Sequence, residues 1–179
     1  KPFGFMPFYP GPGLGGHCIP IDPFYLSWKA KETGFEARFI ELAGQINSSM
    51  PYHVVSKVVD SLNDHSKPVR GSKVLVLGVA YKEGIDDVRE SPAIDVLKLL
   101  MERGARIAYS DPYVPRLREA GLDMASVELS LDELRDADCV VITTAHRSVD
   151  YKMVVDAGVP IVDTRNALKG LDGSNIRKL

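Results

Sequence analysis

Cysteine is scarce in this chain: 179 residues hold only two, Cys18 and Cys139, far apart. A disulfide framework is therefore not expected, and a reducing, cytoplasmic setting suits the composition. No apolar run approaches the roughly 18 residues of a membrane-spanning helix. The opening KPFGFMPFYPGPG is broken by prolines and lacks the apolar core of a secretory signal. With a net charge of only −2, nothing points to nucleic acid or to a membrane surface as a partner. His53, His65 and His146 show no ligand spacing, so no metal is expected. There is no internal repeat or low-complexity tract. What remains, 45% hydrophobic and 26% charged, is the composition of a globular protein.

Proline and glycine crowd the start. Residues 1–23 hold six of the twelve prolines and five of the fifteen glycines, which excludes a regular helix or strand there. The chain also opens without Met, in a loop, which leads to the expectation that it is part of something longer. A helix is predicted over about 23–32 and another over 36–48, with Phe39, Leu42, Ala43 and Ile46 on one face. Pro51 suits a first turn, so a third helix is predicted from there to about 63, with Val54, Val55, Val58, Val59 and Leu62 as its stripe.

The polar stretch DHSKPVRGS, 64–72, reads as a boundary. Beyond it, strands and helices alternate. KVLVLGVA (73–80) reads as a strand buried on both faces. Ser91 with Pro92 starts a helix that stops at Gly104. RIAYSD (106–111), CVVITT (139–144) and PIVDT (160–164) are further strands. YVPRLREAG reads as a short helix, and Ser130 with Glu133 forms a capping box. The fold expected is α/β: a Rossmann-like, doubly wound parallel sheet over 66–179, preceded by a helical segment over 1–65.

The stretch GPGLGGHCIPIDP, 11–23, matches the dinucleotide fingerprint at Gly11, Gly13 and Gly16. A true dinucleotide loop lies between a buried strand and a helix. Here FMPFYP precedes it and Pro20 and Pro23 follow it, so the match is formal only. Glycines allow unusual backbone angles and close approach. A glycine-dense loop carrying Cys18, with Asp22 four residues on, suits either a nucleophile held against a substrate or a structural turn around an inert thiol.

PGPGLGGHCIPIDPFYL, FIELAGQINSSMP, GVAYKEGIDDVRESPA, SDP and VDTRN together resemble the UDP-glucose/GDP-mannose dehydrogenase family. The resemblance covers nearly the whole chain, and the wording of the loop is closest to the branch that oxidises UDP-N-acetylhexosamines. It implies NAD-dependent oxidation of a sugar CH2OH to a carboxylate. The expected substrate is UDP-N-acetylglucosamine, with UDP-glucose and UDP-N-acetylmannosamine as alternatives. Cys18 would be the nucleophile, forming a thiohemiacetal and then a thioester, and Asp22 would assist water. An N-cap for the following helix is the alternative for Asp22. Phe8, Tyr9, Pro10, Gly13, Gly15 and Gly16 would line the sugar nucleotide, whereas Phe3 and Phe5 are expected to pack on the core. Lys82 would contact the UDP-sugar, Arg165 the nucleotide and Arg89 the NAD pyrophosphate; alternatively Lys82 and Arg89 pair with Asp86, Asp87 or Glu90. The family's NAD-binding domain and a lysine on its central helix are not found in these residues, so the chain alone is expected to be inactive. The helical segment would belong to the dimer-forming central domain, implying a homodimer or higher oligomer.

Asp111 ends the second strand, where a dinucleotide fold keeps its ribose-binding acid. The glycine fingerprint is missing from LGVAYKEG, so Asp111–Pro112 reads as a turn and NAD is not assigned to this half. Cys139 reads as core. Two readings of another class remain open: a nucleotide-sugar-binding module without chemistry, and a dimerisation fragment with a redox-sensitive cysteine.

Overall fold

The computed structural model describes Gly4 and residues 8–179. Five strands form one parallel sheet: β1 (Lys73–Leu77), β2 (Arg106–Ser110), β5 (Cys139–Ile142), β6 (Ile161–Asp163) and β7 (Ile176–Lys178), in the order β2-β1-β5-β6-β7. Side chains alternate across it. Val74 and Val76 face one core with Val141 and Val162, while Leu75 and Leu77 face a second with Val140, Ile142 and Ile161. The first core is closed by the helices α2 (Arg38–Asp64) and α3 (Pro92–Glu102), the second by the short helices α4 (Leu131–Asp136) and α5 (Tyr151–Asp156). This is the expected doubly wound, Rossmann-like arrangement. The chain reverses direction across the sheet between β1 and β5, so the crevice for a ligand lies at the carboxyl ends of these two strands.

The caps follow the sequence. Ser91 accepts from Ala93 N–H at the start of α3, and Ser130 accepts from Glu133 N–H at 3.1 Å at the start of α4. Glu133 does not complete the box; its carboxylate lies 2.6 Å from Lys73 Nζ.

Two elements differ from the expectation. The helices predicted over 36–48 and 51–63 are one helix of 27 residues, with Pro51 inside it. Proline removes one hydrogen bond from such a helix. Both halves are held regardless: Val54, Val55, Val58 and Leu62 are fully buried under the sheet, each worth roughly 1.5–3 kcal/mol, while Ser27 and Lys31 of α1 (Asp22–Lys31) bind Glu41 at 3.0 and 2.5 Å. The Phe39, Leu42 and Ile46 stripe of the first half is exposed. The second difference is at 113–125, where no helix forms. β3 (Arg116–Glu119) and β4 (Leu122–Ala125) pair antiparallel around Ala120–Gly121, with φ of +53° and +84°. Positive φ at both positions is the turn that suits the twist of a two-residue hairpin.

Alanine is a poor residue for the first of those positions, since a Cβ in the left-handed region costs roughly 1–2 kcal/mol. Ala120→Asn is expected to stabilise the chain by about 1 kcal/mol. A midpoint of thermal unfolding that is unchanged or lower would contradict this account of the turn.

Candidate functional site

Residues 8–15 run without helix or strand, so no strand feeds the Gly11–Gly16 segment and it is not a dinucleotide loop. It lies instead across the carboxyl edge of the sheet, and its glycines serve contact. A Cβ at Gly11 would meet the Arg165 guanidinium at 2.6 Å. At Gly13 it would meet Pro92 at 2.9 Å, and at Gly15 the Tyr81 Cβ at 2.6 Å and the Glu90 carbonyl at 2.7 Å. Gly16, buried with φ +91°, lies under the Tyr81 ring, and its N–H reaches the Arg89 carbonyl at 3.4 Å. The loop thus spans from the end of β6 to the β1–α3 connection.

Cys18 emerges from this loop exposed. Its carbonyl accepts from Ile21 N–H at 3.0 Å and Asp22 N–H at 2.7 Å, a turn that leads directly into α1. Asp22 is not the N-cap. The helix begins at Asp22, the capping position is Ile21, and no side chain caps it. The Asp22 carboxylate is exposed and makes no hydrogen bond to a described side chain or backbone group, four residues from the thiol. Cys139, by contrast, is fully buried in β5, and burial pushes its thiol up to about 12. Of the two thiols, Cys18 is the one open to solvent.

Of the aromatic residues expected at the site, Phe8 and Tyr9 are exposed, as is Pro10. Phe3 and Phe5 lie outside the described residues.

The three bases stand differently. Arg165 is largely buried. Its Nε donates to the Thr143 carbonyl at 3.0 Å, and no described carboxylate pairs with it. Burial holds its guanidinium below its ordinary value. Lys82 is exposed and makes no ion pair with a described residue. Arg89 is paired: its Nε and guanidinium nitrogen grip both oxygens of Asp87 at 3.0 and 2.8 Å. That pair, with the Arg89 N–H, holds the Asp87 carboxyl down at about 2, and the same carboxylate lies 3.4 Å from His17 Nε2 beside the thiol. The surface pairing expected as the alternative for Arg89 is thus the one found.

Two residues beside the site were given no part in it by the sequence: Asp111, read as a turn, and His146, read only as no metal ligand. Asp111 is buried. One carboxylate oxygen accepts from Val79 N–H at 2.7 Å and Ala80 N–H at 3.2 Å, the other from Tyr113 N–H at 2.9 Å and Val114 N–H at 3.1 Å. The turn read at Asp111–Pro112 is there, but the carboxylate does more. It occupies the amides after β1 where a dinucleotide fold would place a phosphate. His146 Nε2 lies 3.1 Å from the same carboxylate, and the ring is completely buried. Burial works against the charge on Asp111, and the His146 and amide hydrogen bonds outweigh it, so its carboxyl stays below the usual range.

A groove of about 720 Å3 lies beside this site. It is walled by Leu14, Ile19 and Phe24 against Pro51, Pro92 and Ile94, and neither Cys18, Lys82 nor Arg165 lines it. Among the described residues no helix is long and apolar enough to cross a membrane, and no cluster of His, Cys, Asp and Glu could hold a metal.

Known proteins carry the same elements. Residues 75–170 match the UDP-binding domain of the UDP-glucose/GDP-mannose dehydrogenase family, and residues 1–49 match its central domain. A UDP-N-acetyl-D-mannosamine dehydrogenase of Methanococcus maripaludis is 37% identical over 139 residues, 76% of this chain and 29% of its own length. A UDP-N-acetyl-D-glucosamine 6-dehydrogenase of Pseudomonas aeruginosa is 30% identical over 177 residues, 99% of this chain and 37% of its own. The structure of a UDP-D-ManNAc dehydrogenase from Pyrococcus horikoshii superposes with a TM-score of 0.80 at 27% identity, over 99% of this chain and 41% of that one. The chain therefore spans about a third of the length of such relatives. A glycine-dense loop presenting a thiol over the carboxyl edge of a Rossmann-like sheet, matched by both family models, places this chain in the UDP-glucose/GDP-mannose dehydrogenase family.

Proposed function

We propose that this chain supplies the nucleophile and the nucleotide-sugar site of an NAD-dependent UDP-sugar 6-dehydrogenase, with UDP-N-acetylglucosamine as substrate. The observation that carries the reading is the docking of the Cys18 loop on Arg165, a largely buried guanidinium with no described carboxylate partner. Such a group suits a phosphate oxygen. Lys82, also without a described partner, supplies a second cation on the β1–α3 connection. Phe8, Tyr9, Pro10 and the backbone of Gly13, Gly15 and Gly16 would lie along the sugar.

The Cys18 thiolate adds to the C6 aldehyde carbonyl, forming a C–S bond and leaving a thiohemiacetal oxygen. NAD+ would supply the oxidising chemistry, taking up one hydride when the C6 alcohol becomes the aldehyde and a second when the thiohemiacetal carbon, losing its hydroxyl proton, becomes a thioester. Water, with Asp22 taking its proton, displaces the thiolate and releases the carboxylate. A thiol suits both halves, because it attacks a carbonyl well and leaves well.

The described residues do not fit a dinucleotide. The amides after β1 are taken by Asp111, and Arg89 is held by Asp87. This chain's part is therefore the thiol, the carboxylate beside it and the anion-binding bases. The exposed apolar residues of α1 and the first half of α2, among them Leu26, Trp28, Phe39 and Ile46, support a homodimer through the 1–65 segment.

The test is the alkylation rate of Cys18 with and without UDP-N-acetylglucosamine, UDP-glucose and UDP. Buried Cys139 is expected to stay silent, so only one of the two thiols should label. Protection that ranks the sugars and disappears in Lys82→Ala supports the reading. Absence of protection in both this chain and the complete enzyme would refute it.

A further inference from the structure

We infer that His146 is a positioning residue: it anchors the tip of the segment between β1 and α3, and through it Lys82. The role given to Lys82 rests on the function proposed above. The anchoring itself rests on geometry alone.

The segment 78–84 has almost no secondary structure of its own, yet side chains from two other strand ends take four of the backbone polar groups of Gly78, Val79 and Ala80, and the Gly78 N–H donates to the Ser110 carbonyl. Asp111, at the end of β2, binds the N–H groups of Val79 and Ala80. Thr143 and Thr144, at the end of β5, donate their hydroxyls to the Gly78 and Ala80 carbonyls. Gly78 itself, with φ +82°, leaves no room for a side chain, since a Cβ would meet Thr144 at 2.5 Å. These contacts hold the base of the segment. Its tip, two residues past Lys82, has one buried anchor, Gly84 N–H donating to His146 Nδ1 at 3.1 Å, beside an exposed ion pair of Arg147 with Glu83 at 3.1 Å.

The imidazole can do this because its other nitrogen is spoken for. With Gly84 donating to Nδ1, the ring hydrogen lies on Nε2 and is given to Asp111 at 3.1 Å. The ring is buried without exposure, and Tyr113 covers it at a centroid distance of 5.0 Å. One rigid ring therefore joins the base of the segment, through Asp111, to its tip. Lys82 lies between the two anchors, and Tyr81, which packs against Gly15 and Gly16, lies just before it.

Two substitutions separate anchoring from bulk. His146→Asn keeps an acceptor near the Nδ1 position but stops short of Asp111; His146→Gln reaches Asp111 but leaves nothing for Gly84. Amide exchange at Gly84, followed by NMR, and UDP affinity, by titration calorimetry, are measured on this chain. Gln is expected to speed Gly84 exchange and to weaken UDP binding roughly 10-fold, the worth of about one hydrogen bond, and Asn to change both much less. Equal behaviour of the two variants, or losses that follow their thermal stability alone, would overturn the inference. Failure of both the wild-type chain and the complete enzyme to bind UDP would sink the functional reading instead. The Gly84 exchange of the two variants then decides the anchoring.

Discussion

Asp111→Ala is expected to destabilise the chain by about 3–5 kcal/mol, the cost of leaving several buried donors without their acceptor. The count of orphaned donors sets this scale. Alanine leaves the N–H groups of Val79, Ala80, Tyr113 and Val114 without their acceptor, and His146 Nε2–H without its own. Asp111 and His146 are almost wholly buried, and each unsatisfied buried group costs about 1–3 kcal/mol. Local relaxation recovers part of that sum. For a domain of this size the midpoint of thermal unfolding should fall by on the order of 10 °C. The pH dependence follows from the same contacts. The folded carboxyl lies below its ordinary value of 3.8, so its contribution is complete above that value and is lost as pH falls through the lower, folded one. The wild-type chain should therefore lose stability on acidification by more than Asp111→Ala does. Parallel acid-unfolding curves for the two proteins would show that Asp111 is not the buried tie described here.

The second large effect concerns chemistry. In the complete enzyme, Cys18→Ser should lower formation of the uronic acid by at least about 10³-fold, the scale on which removal of a nucleophile acts. UDP affinity should stay within about two-fold, since Arg165 and Lys82 are untouched. The split matters more than the size. A kcat that collapses at constant affinity is the signature of a group used only on the reacting carbon. Retention of acid formation by Cys18→Ser would mean that the exposed thiol is incidental and that the loop binds without reacting.

Much of this was legible because the signals are local. Ser91 and Ser130 cap the helices they precede, and the buried runs at 73–77 and 139–142 are central strands. The false fingerprint could be rejected on its flanks alone. What failed, failed for identifiable reasons. Pro51 reads as a helix start because proline belongs in first turns, but the tertiary contacts of α2 on both sides of it outweigh one lost hydrogen bond. Ala120 gives no turn signal, since alanine at positive φ is disfavoured and only Gly121 speaks for the hairpin. His146 was invisible as a site residue because its partners, Gly84 and Asp111, stand 62 and 35 positions away. Arg89 had two readings in the sequence, a pyrophosphate contact or a pair with a neighbouring acid, and composition cannot choose between them; the fold brings Asp87, two residues before it, onto its guanidinium.

The contacts beneath the cysteine loop also set how its sequence can drift. At Gly11 the obstacle is the far end of one flexible side chain, Arg165, so a small residue could be accommodated if that arginine swung aside. At Gly15 the obstacle includes main chain, the Glu90 carbonyl at 2.7 Å, which no change of side chain elsewhere can remove. Neighbouring glycines of one motif thus answer to different rules of inheritance: Gly11 is open to compensated replacement, and Gly15 is not.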